Sequence, residues 1–134
     1  MTGTQGERSL TPEDRRRIVD IAMELARTGQ TADLLDFLDH GVPVDITDAD
    51  GNSFLMLAAY HGRAETVQAL IARGADVDLR NSRDQSPVAG AIFKGEESVV
   101  RFLVGAGADL DAGTPTARQA AEMFGRTRLL EVEE

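Results

Sequence analysis

The residues most suggestive of chemistry in this chain are the aspartates of segment 45–54, which reads DITDADGNSF. Closely spaced aspartates followed by a glycine are typical of a calcium-binding loop. If Gly51 were the turn glycine of such a loop, however, Ile46 would be its first ligand and Leu57 its terminal bidentate acid. Neither side chain can bind a cation, so we expect a hairpin with an Asp50–Gly51 turn instead of a metal site.

Phosphate binding and nucleophilic catalysis are also poorly supported by the sequence. The segment GAIFKGEE at 90–97 contains glycine and lysine but lacks the spacing and the Ser/Thr of a phosphate-binding loop. The chain has two histidines and no cysteine, so a nucleophile, a base and an orienting group cannot be assembled. His40 stands where a helix should end, and a cation there would complement the helix dipole. The sequence therefore predicts no enzyme activity, no cofactor and no metal ion.

Length and composition narrow the class of protein further. A chain of 134 residues is the size of one domain. Its net charge of −9 argues against sequence-independent nucleic-acid binding, which requires a basic surface. No apolar run reaches the roughly 18 residues that a membrane span needs, and no secretory signal is evident. We therefore expect a cytoplasmic monomer that binds neither nucleic acid nor membrane.

A five-residue pattern of glycine, alanine, aspartate, an aliphatic residue and aspartate occurs twice, as GADVD at 74–78 and GADLD at 107–111. A shift of 33 residues superimposes the two copies and aligns the chain on both sides of them. The aligned pairs include Ser53/Ser86, Leu55/Val88, Ala58/Ala91, Gly62/Gly95, Val67/Val100 and Leu70/Leu103. An earlier copy fits residues 29–45, and a fourth fits residues 116–134 after a gap of three residues. This period predicts a stack of repeated structural units.

Each unit has the pattern of two short helices. The first helix should begin after a hydroxyl side chain, Ser53, Ser86 or Thr116, whose oxygen can accept a hydrogen bond from the helix N-terminus. The second helix has apolar residues at the i, i+3 and i+4 positions of one face. It should end at Gly74 or Gly107, because glycine adopts the left-handed conformation that terminates helices.

This pattern resembles the ankyrin repeat, which has a period of 33 residues and a Thr-Pro-Leu-His signature. The resemblance covers about residues 15–130 and implies an all-α solenoid of helix–turn–helix units with short projecting β-hairpin loops. A longer helix after Thr11 and a truncated second helix in GRTRLLEVEE (125–134) should cap the two ends of the stack. We expect four units, at about 11–47, 48–80, 81–113 and 114–134, and a disordered segment at 1–10.

One unit departs from the pattern in its first helix. Gly90 stands where the preceding unit has Leu57, and Ile92 stands where that unit has Ala59. We interpret this pair as an exchange of volume between the two positions. Because glycine in a helix lowers stability by about 1 kcal/mol relative to alanine, this helix should be the least stable of the inner helices.

The resemblance also implies where a partner would bind, namely on the concave face formed by the hairpin tips and the first helices. Solubility alone would favour polar residues just before the glycine that ends each first helix, yet aromatic and apolar residues occur there. The candidate partner-binding residues are Tyr60, His61, Phe93, Lys94, Met123 and Phe124 on the helices and Asp48, Asp50, Asn52, Arg83 and Gln85 on the hairpins.

These features predict a non-catalytic protein–protein interaction module whose partner is another protein, with a basic surface as one option. An alternative function is an inhibitor or antitoxin-like regulator that occludes a basic partner by acidic mimicry. A third is a structural spacer without a discrete partner. For Met123 and Phe124, local packing within the terminal cap is the alternative to a role in binding.

Overall fold

The computed structural model describes residues 11–131, which form seven α-helices and one 3₁₀ helix. The helices are α1 (Pro12–Thr28), α2 (Thr31–Asp39), α3 (Phe54–Tyr60), α4 (Ala64–Ala72), α5 (Pro87–Lys94), α6 (Glu97–Gly105) and α7 (Ala117–Met123), followed by the 3₁₀ helix Thr127–Leu130. Helices α1, α3, α5 and α7 pack in an inner row, and α2, α4, α6 and the 3₁₀ helix pack in an outer row. The chain is therefore an all-α stack of helix pairs, as the repeat pattern predicts.

The inner helices begin at the residues that the sequence indicates. The hydroxyl groups of Ser53, Ser86 and Thr116 each accept a hydrogen bond from the backbone N–H three residues further on, at 3.0–3.2 Å. Thr11 and Asp14 form a reciprocal capping box at the start of α1. Each of these bonds satisfies an N–H group that has no partner within its own helix, which fixes where the helix begins.

The core lies between the two rows of helices and consists mainly of aliphatic side chains. Leu70 on α4 and Leu103 on α6 are fully buried and are equivalent positions of neighbouring units. On the inner row, Phe54 and Ile92 are also fully buried. The side chain of Ile92 therefore packs in the core, whereas Gly90 leaves space on the opposite side of α5.

Glycines end the second helices as predicted. Gly74 follows α4 with φ of +86°, and Gly107 follows α6 with φ of +90°. A side chain at either position would strain the backbone in this left-handed region. The chain can therefore leave the outer row sharply and return towards the next inner helix.

The repeated aspartates connect neighbouring units by hydrogen bonds between side chain and backbone. The carboxylate of Asp45 accepts a hydrogen bond from the N–H of Asp76 at 2.9 Å. One unit later, Asp78 accepts from the N–H of Asp109 at 2.7 Å. The second aspartate of the GADVD pattern therefore holds the next unit in register.

Two local features differ from the sequence expectations. The hairpin at 47–53 has a single antiparallel bridge, Thr47–Ser53, and its turn centres on Ala49 and Asp50, with Gly51 in the left-handed conformation at φ of +79°. The last unit has one turn of 3₁₀ helix where a truncated second helix was expected.

The predicted disorder of residues 1–10 lies outside the described residues, as does the end of the fourth unit. None of the helices within residues 11–131 has both the length and the apolar character of a membrane span.

Candidate partner-binding surface

Three aromatic side chains and one methionine lie together at the C-terminal ends of the inner helices, and we call them the aromatic stripe: Tyr60, Phe93, Met123 and Phe124. Tyr60 is the last residue of α3, and Phe93 lies in the last turn of α5. Met123 ends α7, and Phe124 is its C-cap. Because the inner helices stack in register, equivalent positions of successive units are brought side by side.

The rings of the aromatic stripe contact one another across the units. Tyr60 and Phe93 stack with their ring centroids 6.3 Å apart and an interplanar angle of 11°. Phe93 and Phe124 meet edge to face at 5.1 Å and 74°. Both arrangements are favourable geometries for aromatic pairs. The sequence therefore predicted correctly that these residues would lie in a row.

Much of the aromatic stripe remains open to solvent. Phe93 is 48 % exposed, Phe124 is 39 % exposed and Met123 is 66 % exposed. Local packing within the terminal cap does not describe Phe124 fully, because its ring rests against Phe93 of the preceding unit. The arrangement gives a continuous apolar surface, and its use in binding stays a prediction.

A cavity of about 360 Å³ opens beside the stripe, and we call it the Gly90 pocket. Its lining residues are Met56, Tyr60, Gln85, Ala89, Gly90, Phe93, Pro115, Ala120, Met123 and Phe124. A Cβ atom added at Gly90 would lie 3.5 Å from Cδ1 of Tyr60 and 3.9 Å from Sδ of Met56. A side chain at position 90 would therefore project towards two lining residues of this pocket.

A second cavity of about 310 Å³ lies between the hairpins and α3. Its lining includes four of the predicted tip residues, Asp50, Asn52, Arg83 and Gln85. Tyr60, the last residue of α3, and His61, its C-cap, also line the cavity. Nδ2 of Asn81 donates to Oδ1 of Asn52 at 2.9 Å and to Oε1 of Gln85 at 2.7 Å. Asn81 therefore connects the amides of two hairpins, a role that the sequence analysis did not identify.

The aspartates of the hairpin tips differ in whether their carboxylates are free to contact a partner. The Asp48 carboxylate accepts hydrogen bonds from the N–H groups of Asp50 and Asn52, both at 2.9 Å, so it shapes its own hairpin. Asp84 pairs with Arg80 at 3.1 Å and accepts from the Thr114 hydroxyl at 2.7 Å. Asp50 is exposed and lines the cavity. It is therefore the tip carboxylate best placed to contact a partner.

Several cations lie near the C-terminal ends of the inner helices. Nζ of Lys94 lies 4.6 Å from the centroid of the Tyr60 ring, within the range of a cation–π contact. Nε of Arg63 donates to the carbonyl oxygen of Arg27 at 2.9 Å. Desolvation lowers the pKa of His61 from its usual value of 6.5, and the charges of Lys94, Arg27 and Arg63 lower the pKa further. Three cations thus lie near His61, and the Glu96 carboxylate lies in the same region, next to Gly62.

The described residues offer no arrangement for metal chemistry. No group of three His, Cys, Asp or Glu side chains within residues 11–131 lies close enough together to hold a metal ion. His40, considered above as a helix-terminating cation, is the C-cap of α2, and its Nδ1 lies 2.8 Å from the carbonyl oxygen of Asp36. The same carbonyl oxygen also accepts a hydrogen bond from the backbone N–H of His40 at 3.1 Å, so the imidazole adds a second contact at the end of the helix.

Comparisons with known proteins agree with this architecture. A family model of ankyrin repeats, comprising three copies, matches residues 22–114. The chain is also similar to a putative ankyrin repeat protein of Pseudomonas aeruginosa, with 38 % identity over 55 residues, which cover 41 % of this chain and 32 % of the relative. The aligned region thus spans about a third of that relative's length. Since the family model covers more than half of the chain and the helix pairs stack with its period, this protein belongs to the ankyrin repeat family.

Proposed function

We propose that this protein is a non-catalytic protein–protein interaction module that binds its partner through the aromatic stripe. Ankyrin repeats are generally protein–protein interaction modules. The observation that carries the proposal for this chain is the row of rings at Tyr60, Phe93 and Phe124, in which Phe93 and Phe124 are exposed and Tyr60 is partly buried. Exposed apolar patches of this kind mark interaction sites, and aromatic residues often supply most of the binding energy.

The position of the stripe supports this assignment over a random surface feature. Residues 11–131 leave four large apolar side chains exposed, and three of these belong to the stripe. The fourth, Ile21, lies on α1 and is 47 % exposed. Clustering of this kind on one face is unfavourable for solubility, so it is best explained by a partner that covers it.

The alternative of an inhibitor that occludes a basic partner by acidic mimicry has less support. It requires tip carboxylates that are free to contact the partner, yet Asp48 and Asp84 are engaged within the hairpins. Asp50 alone could steer a basic partner at the rim. A spacer without a discrete partner would leave the exposed rings of the stripe without a role.

Affinity capture from the native cell with wild-type protein and with Phe93→Ala tests the proposal. Loss of the ring should weaken partner binding by about 2 kcal/mol, roughly 30-fold, because the residue lies at the centre of the stripe. The melting temperature should barely change, because half of the side chain is already in contact with solvent. Ile21→Ala is a matched control, since Ile21 is equally exposed but lies outside the stripe.

Two results would contradict the proposal. If Phe93→Ala unfolds the protein, the ring belongs to the core and the stripe is not a free surface. If the variant changes neither stability nor binding, the partner binds elsewhere on the molecule.

A further inference from the structure

We infer that the partner presents a segment with an aliphatic side chain next to an acidic residue. The aliphatic side chain enters the Gly90 pocket, and the carboxylate pairs with Lys94, which lies over the Tyr60 ring of the aromatic stripe. This inference rests on the proposed function and adds the chemistry of the partner to it.

The first step of the argument is the shape and lining of the Gly90 pocket. None of its ten lining residues is charged, and its walls are the rings of Tyr60, Phe93 and Phe124. Its floor is formed by small residues, Ala89, Gly90 and Ala120. In such a pocket a polar or charged side chain would be desolvated without a charged partner, whereas an aliphatic side chain gains from burial.

The second step is that the Gly90 pocket differs from the cavity at the equivalent position of the preceding unit. There, Leu57 lines a cavity of about 310 Å³ whose walls also include the charged residues Asp50 and Arg83. In the unit that contains Gly90, the larger side chain is that of Ile92, which is fully buried. The core of the unit is therefore complete without Leu at position 90, and the space on the inner face is available to a branched aliphatic side chain of a partner.

The third step is the charge beside the pocket. Lys94 and Arg63 make none of the ion pairs found within residues 11–131, whereas Arg27 pairs with Glu24. Nζ of Lys94 lies over the Tyr60 ring, which is also a wall of the pocket. A carboxylate one residue away from the buried aliphatic side chain would reach Lys94, so this cation complements an acidic residue of the partner.

Selection from a phage-displayed library of random 12-residue peptides on the purified full chain tests the inference. Tyr60 is the sole tyrosine and the chain has no tryptophan, so its fluorescence reports binding of synthetic peptides directly. Selected peptides should be enriched in Leu, Ile or Met adjacent to Asp or Glu. Gly90→Leu should weaken their binding at least 10-fold without lowering the melting temperature, because a leucine would project into the pocket between Tyr60 and Met56 and also favours the helix.

The role of the Lys94 cation is tested with Lys94→Glu, which should weaken binding of the selected peptides about 10-fold. Arg128→Glu makes the same charge change on the terminal 3₁₀ helix, at an exposed position outside the Gly90 pocket, and should have no comparable effect. Binders enriched in Lys or Arg, or binders insensitive to Gly90→Leu, would overturn the inference. If such binders still depend on Phe93, the proposed function stands. A library that yields no binder dependent on Phe93 would count against both.

Discussion

Nη1 of Arg126 lies 2.7 Å from the carbonyl oxygen of Phe93 and 3.0 Å from that of Ile92. The guanidinium thus reaches back from the last unit to the C-terminal end of α5, where helix carbonyl groups lack partners within the helix. Arg63 makes the equivalent contact with the carbonyl oxygen of Arg27 at the end of α1. One cation therefore stabilises a helix end of the preceding unit and fixes the backbone that carries the central ring of the stripe.

Replacing Arg126 with alanine should lower the free energy of unfolding by about 1–2 kcal/mol, because the partly buried carbonyl group of Ile92 and the exposed carbonyl group of Phe93 lose a charged donor. Chemical denaturation measures this change. Arg128→Ala is the control, since Arg128 is exposed on the 3₁₀ helix and should change stability by less than about 0.5 kcal/mol. Equal effects of the two substitutions would show that the carbonyl contact contributes nothing.

Leu70→Ala should lower the free energy of unfolding by about 2–5 kcal/mol, because it empties a fully buried site between the helix rows. Ile71→Ala on the same helix should cost less, since Ile71 is only partly buried. Thermal or denaturant unfolding of both variants gives the comparison. A loss below about 1 kcal/mol for Leu70→Ala would be inconsistent with the repeat register.

Gly90→Ala should raise the free energy of unfolding by about 0.5–1 kcal/mol, because alanine favours the helical conformation of α5. The added Cβ has room, with its nearest neighbour 3.5 Å away. Gly62→Ala is the contrasting variant: Gly62 has φ of +71°, and a Cβ there would lie 2.5 Å from Cδ of Glu96. It should therefore destabilise the protein. A loss of stability in Gly90→Ala would contradict the expectation that glycine makes α5 the least stable inner helix.

The stability of the protein should also depend on the protonation of His40. The hydrogen bond to the backbone carbonyl of Asp36, together with the Asp36 carboxylate, raises the pKa of His40 above its usual value of 6.5. Because the folded state binds the proton more tightly, the stabilisation is fully present below pH 6.5 and is lost as the pH rises through the folded-state pKa. His40→Gln should remove this dependence, as measured by denaturation between pH 5 and pH 8 (roughly the range in which histidine titrates).

His61 provides the control of opposite sign. Desolvation and neighbouring cations lower its pKa below 6.5, so its contribution is fully present above pH 6.5 and is lost as the pH falls through the folded-state pKa. His61→Gln should therefore remove a loss of stability on the acidic side. If both substitutions change the pH profile in the same direction, the assigned environments are wrong.

The sequence predicted the helix pairs well because their signals are local. Hydroxyl caps such as Ser53 and helix-ending glycines such as Gly74 act within a few residues of the chain. The contacts of Asn81, Arg126 and Asp78 were not predicted, because each joins atoms 29 to 34 residues apart and depends on how neighbouring units stack. The stripe was predicted because the period places its residues in one row. The Gly90 pocket was not predicted, because a cavity between neighbouring inner helices depends on how the units stack.

The hydrogen bonds that the backbone N–H groups of Asp76 and Asp109 donate to the carboxylates of Asp45 and Asp78 also affect how the stack opens. The N–H groups of Asp76 and Asp109 belong to exposed residues outside any helix, where amide hydrogens ordinarily exchange rapidly with solvent deuterium. Here each N–H is held by a carboxylate of the preceding unit. Their exchange rates therefore report when two adjacent units separate, independently of whether the helices of either unit unwind.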